Sequence, residues 1–278
     1  MAAIGRTNCL QVVKQIEIGI FLDGGPEGEI LLPRRYVPEP APQIGEFMNV
    51  FVYLDSEDRP IATTQRPRVE VGQFASLKVK EINQTGIFLD WGLPKDLMLP
   101  YSERKRPMEV GKSYVVYVYV DQHTHRPVAT ARLDRHLDLV PAKYKQGEEV
   151  DVLVAERTDL GFKVIINHQH WGLLHHHTLF KDVRIGQRER GFIQQVRADG
   201  KIDISLQLQG KVGAQNLSDD ILAKLRAAGG SLPFSDKSNA DEIVAAFGVS
   251  KGNFKKAIGG LYKKGQIAIF DDRIELVK

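Results

Sequence analysis

The sequence predicts a mainly β protein: three tandem five-stranded barrels followed by a small α+β domain. Two observations predict the barrels. Glycines recur at matched intervals in three stretches of the chain, and each stretch is rich in β-branched residues that alternate with polar ones. A third observation sets the end of the chain apart. Residues 216–278 drop the alternation and place apolar residues at helical spacing.

The repeat is read from its anchors. Gly5, Gly72 and Gly147 are each followed 14 positions later by Gly19, Gly86 and Gly161, and 14 positions further on by Pro33, Pro100 and His175. The flanks agree. Gly19-Ile-Phe-Leu-Asp23 is identical to Gly86-Ile-Phe-Leu-Asp90, and the third copy reads Gly161-Phe-Lys-Val-Ile165. Ile30-Leu-Leu-Pro33, Leu97-Met-Leu-Pro100 and Gly172-Leu-Leu-His175 correspond. A further glycine follows at Gly45, Gly111 and Gly186. Arg59-Pro-Ile-Ala-Thr63 answers Arg126-Pro-Val-Ala-Thr130 and, more loosely, Lys201-Ile-Asp-Ile-Ser205. Each copy is long enough to be a small domain rather than a solenoid repeat, which sets domains at 1–66, 67–145, 146–215 and 216–278.

Each copy reads as strands. The runs Val12–Ile16, Leu77–Ile82 and Val150–Val154 open the copies, and Val50–Leu54 and Tyr114–Val120 form a later strand. Gly19, Gly86 and Gly161 interrupt a strand pattern, which predicts a bulge or sharp bend of the kind that closes a small barrel. About five short strands with a bent second strand predict a Greek-key barrel.

The last segment predicts three helices and a hairpin. Ile221, Leu222 and Leu225 share a face of a helix over 219–228, with Ser218 as its cap and Gly229-Gly230 as its stop. Ser238 caps a second helix that holds Ile243, Val244 and Phe247 and ends at Gly248. Ser250 caps a third, with Phe254, Ala257, Ile258 and Leu261 inward and Gly265 at its end. Residues 267–270 and 273–277 form the hairpin. This order predicts a winged helix-turn-helix.

At 278 residues, with 42% hydrophobic and 26% charged residues, the chain fits a multidomain soluble protein. No run is apolar enough to span a bilayer, and the first ten residues carry no leader pattern. The single cysteine, Cys9, excludes a disulfide framework within the chain and points to the cytoplasm. The net charge is unevenly spread: −3, +4, 0 and +2 over the four segments. Phosphate affinity is mostly cation attraction, so it should concentrate in the second and last.

The order of glycine, strand, Gly-x-Phe, Gly-Leu-Leu-His and a basic residue before Ile-x-Ile-Ser resembles the S1 RNA-binding domain, an OB-fold. The third copy keeps Gly172-Leu-Leu-His175 and Lys201–Leu206. The first two keep Gly-Ile-Phe-Leu and carry Pro33 and Pro100 in place of the histidine. Three S1-like domains followed by a winged helix resemble, over essentially the whole chain, the CvfB (conserved virulence factor B) family of bacterial RNA-binding proteins. The resemblance implies a regulatory or post-transcriptional protein that binds single-stranded RNA across its barrels. A DNA-binding regulator working through the winged helix and a protein-docking scaffold are the alternatives.

Candidate binding residues follow. Phe21 and Phe88 occupy the Gly-x-Phe position and either stack on bases or point into the core. In the third copy Phe162 directly follows the glycine and Lys163 takes the matching place. Trp91 and Trp171 sit just after strands, as nucleic-acid contacts or as lids on the barrel. Tyr117 and Tyr119 alternate with valines and should face outward, with Phe51 and Tyr53 in the same places of copy one. Arg104, Lys105 and Arg106 follow Pro100 as Arg34 and Arg35 follow Pro33. They read as phosphate contacts or as an ordinary charged loop. The resemblance assigns RNA contact to Arg59, Arg126, Lys201 and His175. On the third helix of the last domain, Lys251, Lys255, Lys256 and Lys263 lie off the core face, as phosphate contacts or a solvated face.

The histidines at 168, 170, 175, 176 and 177 crowd together, but adjacent strand residues point to opposite faces and no cysteine is near, so no metal is assigned. There is no Walker A loop, no nucleophile elbow at a strand-to-helix turn (Gly248-Val-Ser-Lys-Gly252 falls between two helices) and no His-Glu-x-x-His. The expectation is therefore a binding protein, not an enzyme, without a cofactor.

Overall fold

The computed structural model describes residues 2–179, 181–207 and 211–277, with the backbone alone for residue 177 and residues 211–216. It divides into two compact units, Met1–Leu139 and Val140–Lys278.

The first unit holds two barrels. Strands β1 (Arg6–Ile16), β2 (Gly19–Asp23), β3 (Glu29–Pro33), β4 (Phe47–Leu54) and β5 (Pro60–Thr63) close in the order β1-β2-β3-β5-β4. The β3–β5 pairing is parallel, with Leu31 opposite Ile61. Strands β6 (Phe74–Ile82), β7 (Ile87–Leu89), β8 (Leu97–Leu99), β9 (Ser113–Val120) and β10 (Pro127–Thr130) repeat that order as a five-stranded sheet, with β8 and β10 adjoining rather than laddered. The second unit opens with a closed barrel of β11 (Glu149–Thr158), β12 (Gly161–Ile166), β13 (His170–His175), β14 (Arg188–Val196) and β15 (Ile202–Ser205). The mainly β architecture expected from the repeat is thus the one found.

Each barrel bends at the same place. The ladder shifts register on the first strand, between Val12 and Lys14, Val79 and Glu81, and Val154 and Glu156. An extra residue there bends and twists the strand, which lets a five-stranded sheet close. The bulge expected at Gly19, Gly86 and Gly161 therefore lies on the partner strand. The glycines serve close approach instead. A Cβ on Gly161, whose φ is 153°, would stand 2.0 Å from the Leu174 carbonyl oxygen, and one on Gly19 would stand 2.1 Å from that of Leu32. Gly161→Ala is expected to destabilise the third barrel by roughly 1–3 kcal/mol. A urea midpoint equal to wild type would contradict this.

The fifth strand of each barrel ends on a buried hydroxyl: Thr63, Thr130 and Ser205. Each accepts from the backbone N–H two residues on, that of Gln65 at 3.0 Å, Arg132 at 2.9 Å and Gln207 at 3.2 Å. The hydroxyl stands in for the missing ladder partner of the chain as it leaves the strand.

Phe51 and Tyr53 lie on the outer face of β4, yet they are only 2% and 5% exposed. The second barrel covers them. They share one core with Val69, Trp91, Leu93 and the interior of that barrel. Trp91 sets its ring edge-on to Phe51, with centroids 5.5 Å apart and planes at 88°. Its indole N–H donates to the Val69 carbonyl at 2.6 Å. The outward placement expected for Phe51 and Tyr53 holds for their own barrel but not for the unit.

The end of the chain folds as α1 (Lys211–Ala227), β16 (Ser231–Leu232), α2 (Ala240–Phe247), α3 (Lys251–Lys263), β17 (Ile267–Ile269) and β18 (Ile274–Leu276). Ile221, Leu225, Ile243, Phe254, Leu261 and Ile274 belong to its core. α1 starts ahead of Ser218, which is buried inside the helix rather than capping it. Asn239, not Ser238, caps α2 by accepting from the Asp241 N–H. Ser250 caps α3 as expected, and Gly248 ends α2 with φ 65°. β16 adds a third strand to the expected hairpin. No helix among the described residues is long and apolar enough to cross a membrane.

Candidate nucleic-acid interface

The outer faces of the second and third strands carry the expected aromatic residues. Ile20 and Leu22 are buried on either side of Phe21, and Ile87 and Leu89 on either side of Phe88. Both phenylalanines therefore point out of their barrels, half-buried. The Lys14 ammonium lies 5.7 Å from the Phe21 ring centre, and Met98 stands opposite Phe88. In the third barrel the same alternation turns Phe162 inward. It is 9% exposed in the barrel core, edge-on to His176 at 5.7 Å, so it is not a surface contact. Lys163 takes the outward place.

That lysine opens a compact polar and aromatic face. Lys163 stands opposite Leu173, Ile165 opposite Trp171, and Gly161 opposite His175 on the β12–β13 ladder. The Lys163 ammonium sits 3.7 Å from the Trp171 ring centre. The parallel β13–β15 pairing brings Asp203 beside Leu173. Asp203 accepts from His175 Nε2 at 3.0 Å and from Arg197 through Nε at 2.7 Å and Nη2 at 2.8 Å. Burial alone would raise the Asp203 pKa; the hydrogen bonds from Arg197 and His175 outweigh it and hold the carboxyl below the usual range. This face therefore combines an indole under a cation, an imidazole, and a carboxylate fixed by a forked guanidinium. Trp171 and His175 were legible in the sequence; Arg197 and Asp203 were not.

Trp91 does not join an interface. It is 3% exposed in the crevice between the first two barrels, because its turn swings the ring under Phe51. Its basic neighbourhood in sequence misled the expectation.

In the first two barrels the loop after the third strand repeats a different pairing. Arg35 lies 4.8 Å from the Tyr36 ring centre, and Arg104 lies 5.2 Å from that of Tyr101. Arg106 lies 5.6 Å from Tyr114, and Arg104, Lys105 and Arg106 are all exposed. The basic residues before the fifth strand meet carboxylates. Arg59 pairs with Asp55 and Glu57, Lys201 with Asp199, and Arg126 with Asp58.

Tyr117 and Tyr119 face outward, but His136 covers them. Its ring stacks on Tyr117 at 4.1 Å and 21°, and on Tyr119 at 5.6 Å and 28°. Burial in that stack holds the His136 imidazole below its usual pKa. The other histidines are scattered. His170 is buried between the Tyr144 hydroxyl and the Val140 carbonyl, His168 sits in the β12–β13 turn, and the side chain of His177 lies outside the described residues.

On α3, Lys256 and Lys263 are exposed, Lys255 pairs with Asp236 at 3.5 Å, and Lys251 donates to the Lys237 carbonyl. The tip of the β17–β18 hairpin is acidic, with Asp271 and Asp272, and Lys237 pairs with Asp271.

Family models match three parts of the chain. The S1 domain family matches residues 4–65 and 71–132, the first two barrels, and the CvfB-like winged helix domain family matches residues 219–276. An uncharacterized Bacillus subtilis protein, YitL, is 29% identical over 95% of this chain and 90% of its own. Conserved virulence factor B of Staphylococcus epidermidis is 27% identical over 99% of this chain and 95% of its own. A solved multidomain protein with nucleic acid binding domains from Streptococcus pneumoniae covers 99% of this chain and 98% of its own, at 24% identity and a TM-score of 0.41.

Proposed function

We propose that the chain is a member of the CvfB family, a cytoplasmic protein that binds single-stranded RNA along its barrels in a regulatory role; the S1 and CvfB-like winged-helix matches and the nearly whole-length similarity to conserved virulence factor B support this. S1 and winged-helix domains are nucleic-acid-binding modules rather than catalytic ones. The observation that carries the reading is the outer face of the third barrel. Trp171 under Lys163 offers a stacking platform with a cation beside it, the combination that holds an unpaired base and its phosphate. His175 and Arg197, both fixed by the buried Asp203 carboxylate, supply polar groups next to it. Phe21 and Phe88 give the first two barrels a sparser version of the same face.

The domains are assigned as 1–66, 67–145, 146–215 and 216–278, three barrels tethered for avidity and one winged helix. The winged helix is given an accessory role. Two lysines of α3 are engaged within the domain, Lys255 by Asp236 and Lys251 by the Lys237 carbonyl, which leaves fewer cations to meet a duplex backbone. Fluorescence anisotropy on the full chain tests the proposal. Single-stranded RNA should bind at low salt, lose affinity steadily as salt rises, and outcompete duplex DNA. No binding at low salt, or a preference for the duplex, would overturn it.

A further inference from the structure

The turn between β4 and β5 of the first barrel reaches two cations of the second. Asp58 forms an ion pair with the Arg126 guanidinium and lies 3.8 Å from the Lys95 ammonium. Lys95 also donates to the Asp55 carbonyl at 2.5 Å. Asp58 holds φ at 61°, in the left-handed region. All three charged groups stay between 40% and 51% exposed.

This pairing differs from those of the corresponding residues. Arg59 meets Asp55 and Glu57 of its own turn, and Lys201 meets Asp199 of its own turn. The acid of the second barrel's turn, Asp121, is otherwise engaged: it accepts from the N–H groups of His123 and Thr124 and from the Thr124 hydroxyl. That turn is one residue longer, from Asp121 to Arg126 against Asp55 to Arg59. Arg126 is thereby directed to a carboxylate supplied by another barrel, where Lys95 also converges.

Two cations converging on one exposed carboxylate match the demand of a phosphodiester, which offers a single negative charge on paired oxygens. We infer that Lys95 and Arg126 form a phosphate-binding site on the second barrel, and that Asp58 occupies it as an intramolecular stand-in that nucleic acid must displace. Displacement costs little, because an exposed ion pair is worth only about 0–1 kcal/mol. The first barrel then tunes the affinity of the second. This inference rests on the nucleic-acid reading above.

The test measures binding of a short single-stranded RNA to the full chain by anisotropy at low salt. Asp58→Asn keeps a residue that tolerates the left-handed turn. It should tighten binding by about twofold to fivefold. Glu27→Gln, an exposed acid elsewhere on the first barrel, controls for net charge and should change affinity much less. Adding Asp58→Asn to an Arg126→Ala chain should give no gain, since the cation it frees is gone. If Asp58→Asn gains no more than Glu27→Gln, or gains as much in the Arg126→Ala chain, the site is not the one inferred. If wild type binds but shows that pattern, this inference alone fails. If neither wild type nor any variant binds RNA, the nucleic-acid reading fails and takes the inference with it.

Discussion

Replacing Trp91 by alanine is expected to destabilise the first unit by about 3–5 kcal/mol, the usual loss for a large aromatic removed from a core. The ring joins the two barrels: it packs edge-on against Phe51 and donates to the Val69 carbonyl. Removal leaves a cavity and an acceptor without its donor. Urea unfolding followed by circular dichroism should show an earlier transition for the first unit. At temperatures where the variant stays folded, RNA affinity should be unchanged, since the indole is buried. A stable variant with lost affinity would reverse this assignment and restore Trp91 to the interface.

Replacing Trp171 by alanine should have the opposite profile. Stability should change less than for Trp91, because the ring lies partly buried on the outer face of β13 and outside the barrel core. Affinity for single-stranded RNA should fall by about tenfold or more, since one base–aromatic stack is worth roughly 1–3 kcal/mol. Trp171→Phe should restore part of it. Equilibrium anisotropy beside a thermal melt separates the two effects. An unchanged affinity would remove the third barrel's face from the binding surface.

These two tryptophans mark what could be read in the sequence. Equal glycine intervals and matching flanks were enough to find three barrels, and helical spacing after residue 216 was enough to find a winged helix. Alternation also showed that Phe162 and Lys163 must face opposite ways. It did not show which faced in, because a period of two has no sign until a core is chosen. Trp91 was misjudged for another reason: its burial depends on Phe51, forty residues earlier and in another barrel. The Arg197–Asp203–His175 group was missed because a parallel pairing of β13 with β15 assembles it, and no local pattern reports that pairing. Asp203 nonetheless left a trace, as the one charge in Ile202-Asp-Ile-Ser205. The length of the turn before Arg126 was also visible, but its effect on the arginine was not.

The central claim is that RNA bases stack on the outward aromatic faces and not on the aromatic rings buried between the first two barrels. Ultraviolet crosslinking of the full chain to single-stranded RNA, with the adducts mapped by mass spectrometry, tests it most directly. Adducts should fall on peptides holding Phe21, Phe88 and Trp171, strongest at Trp171. Adducts confined to the winged helix, or centred on Trp91 and Phe162, would contradict it.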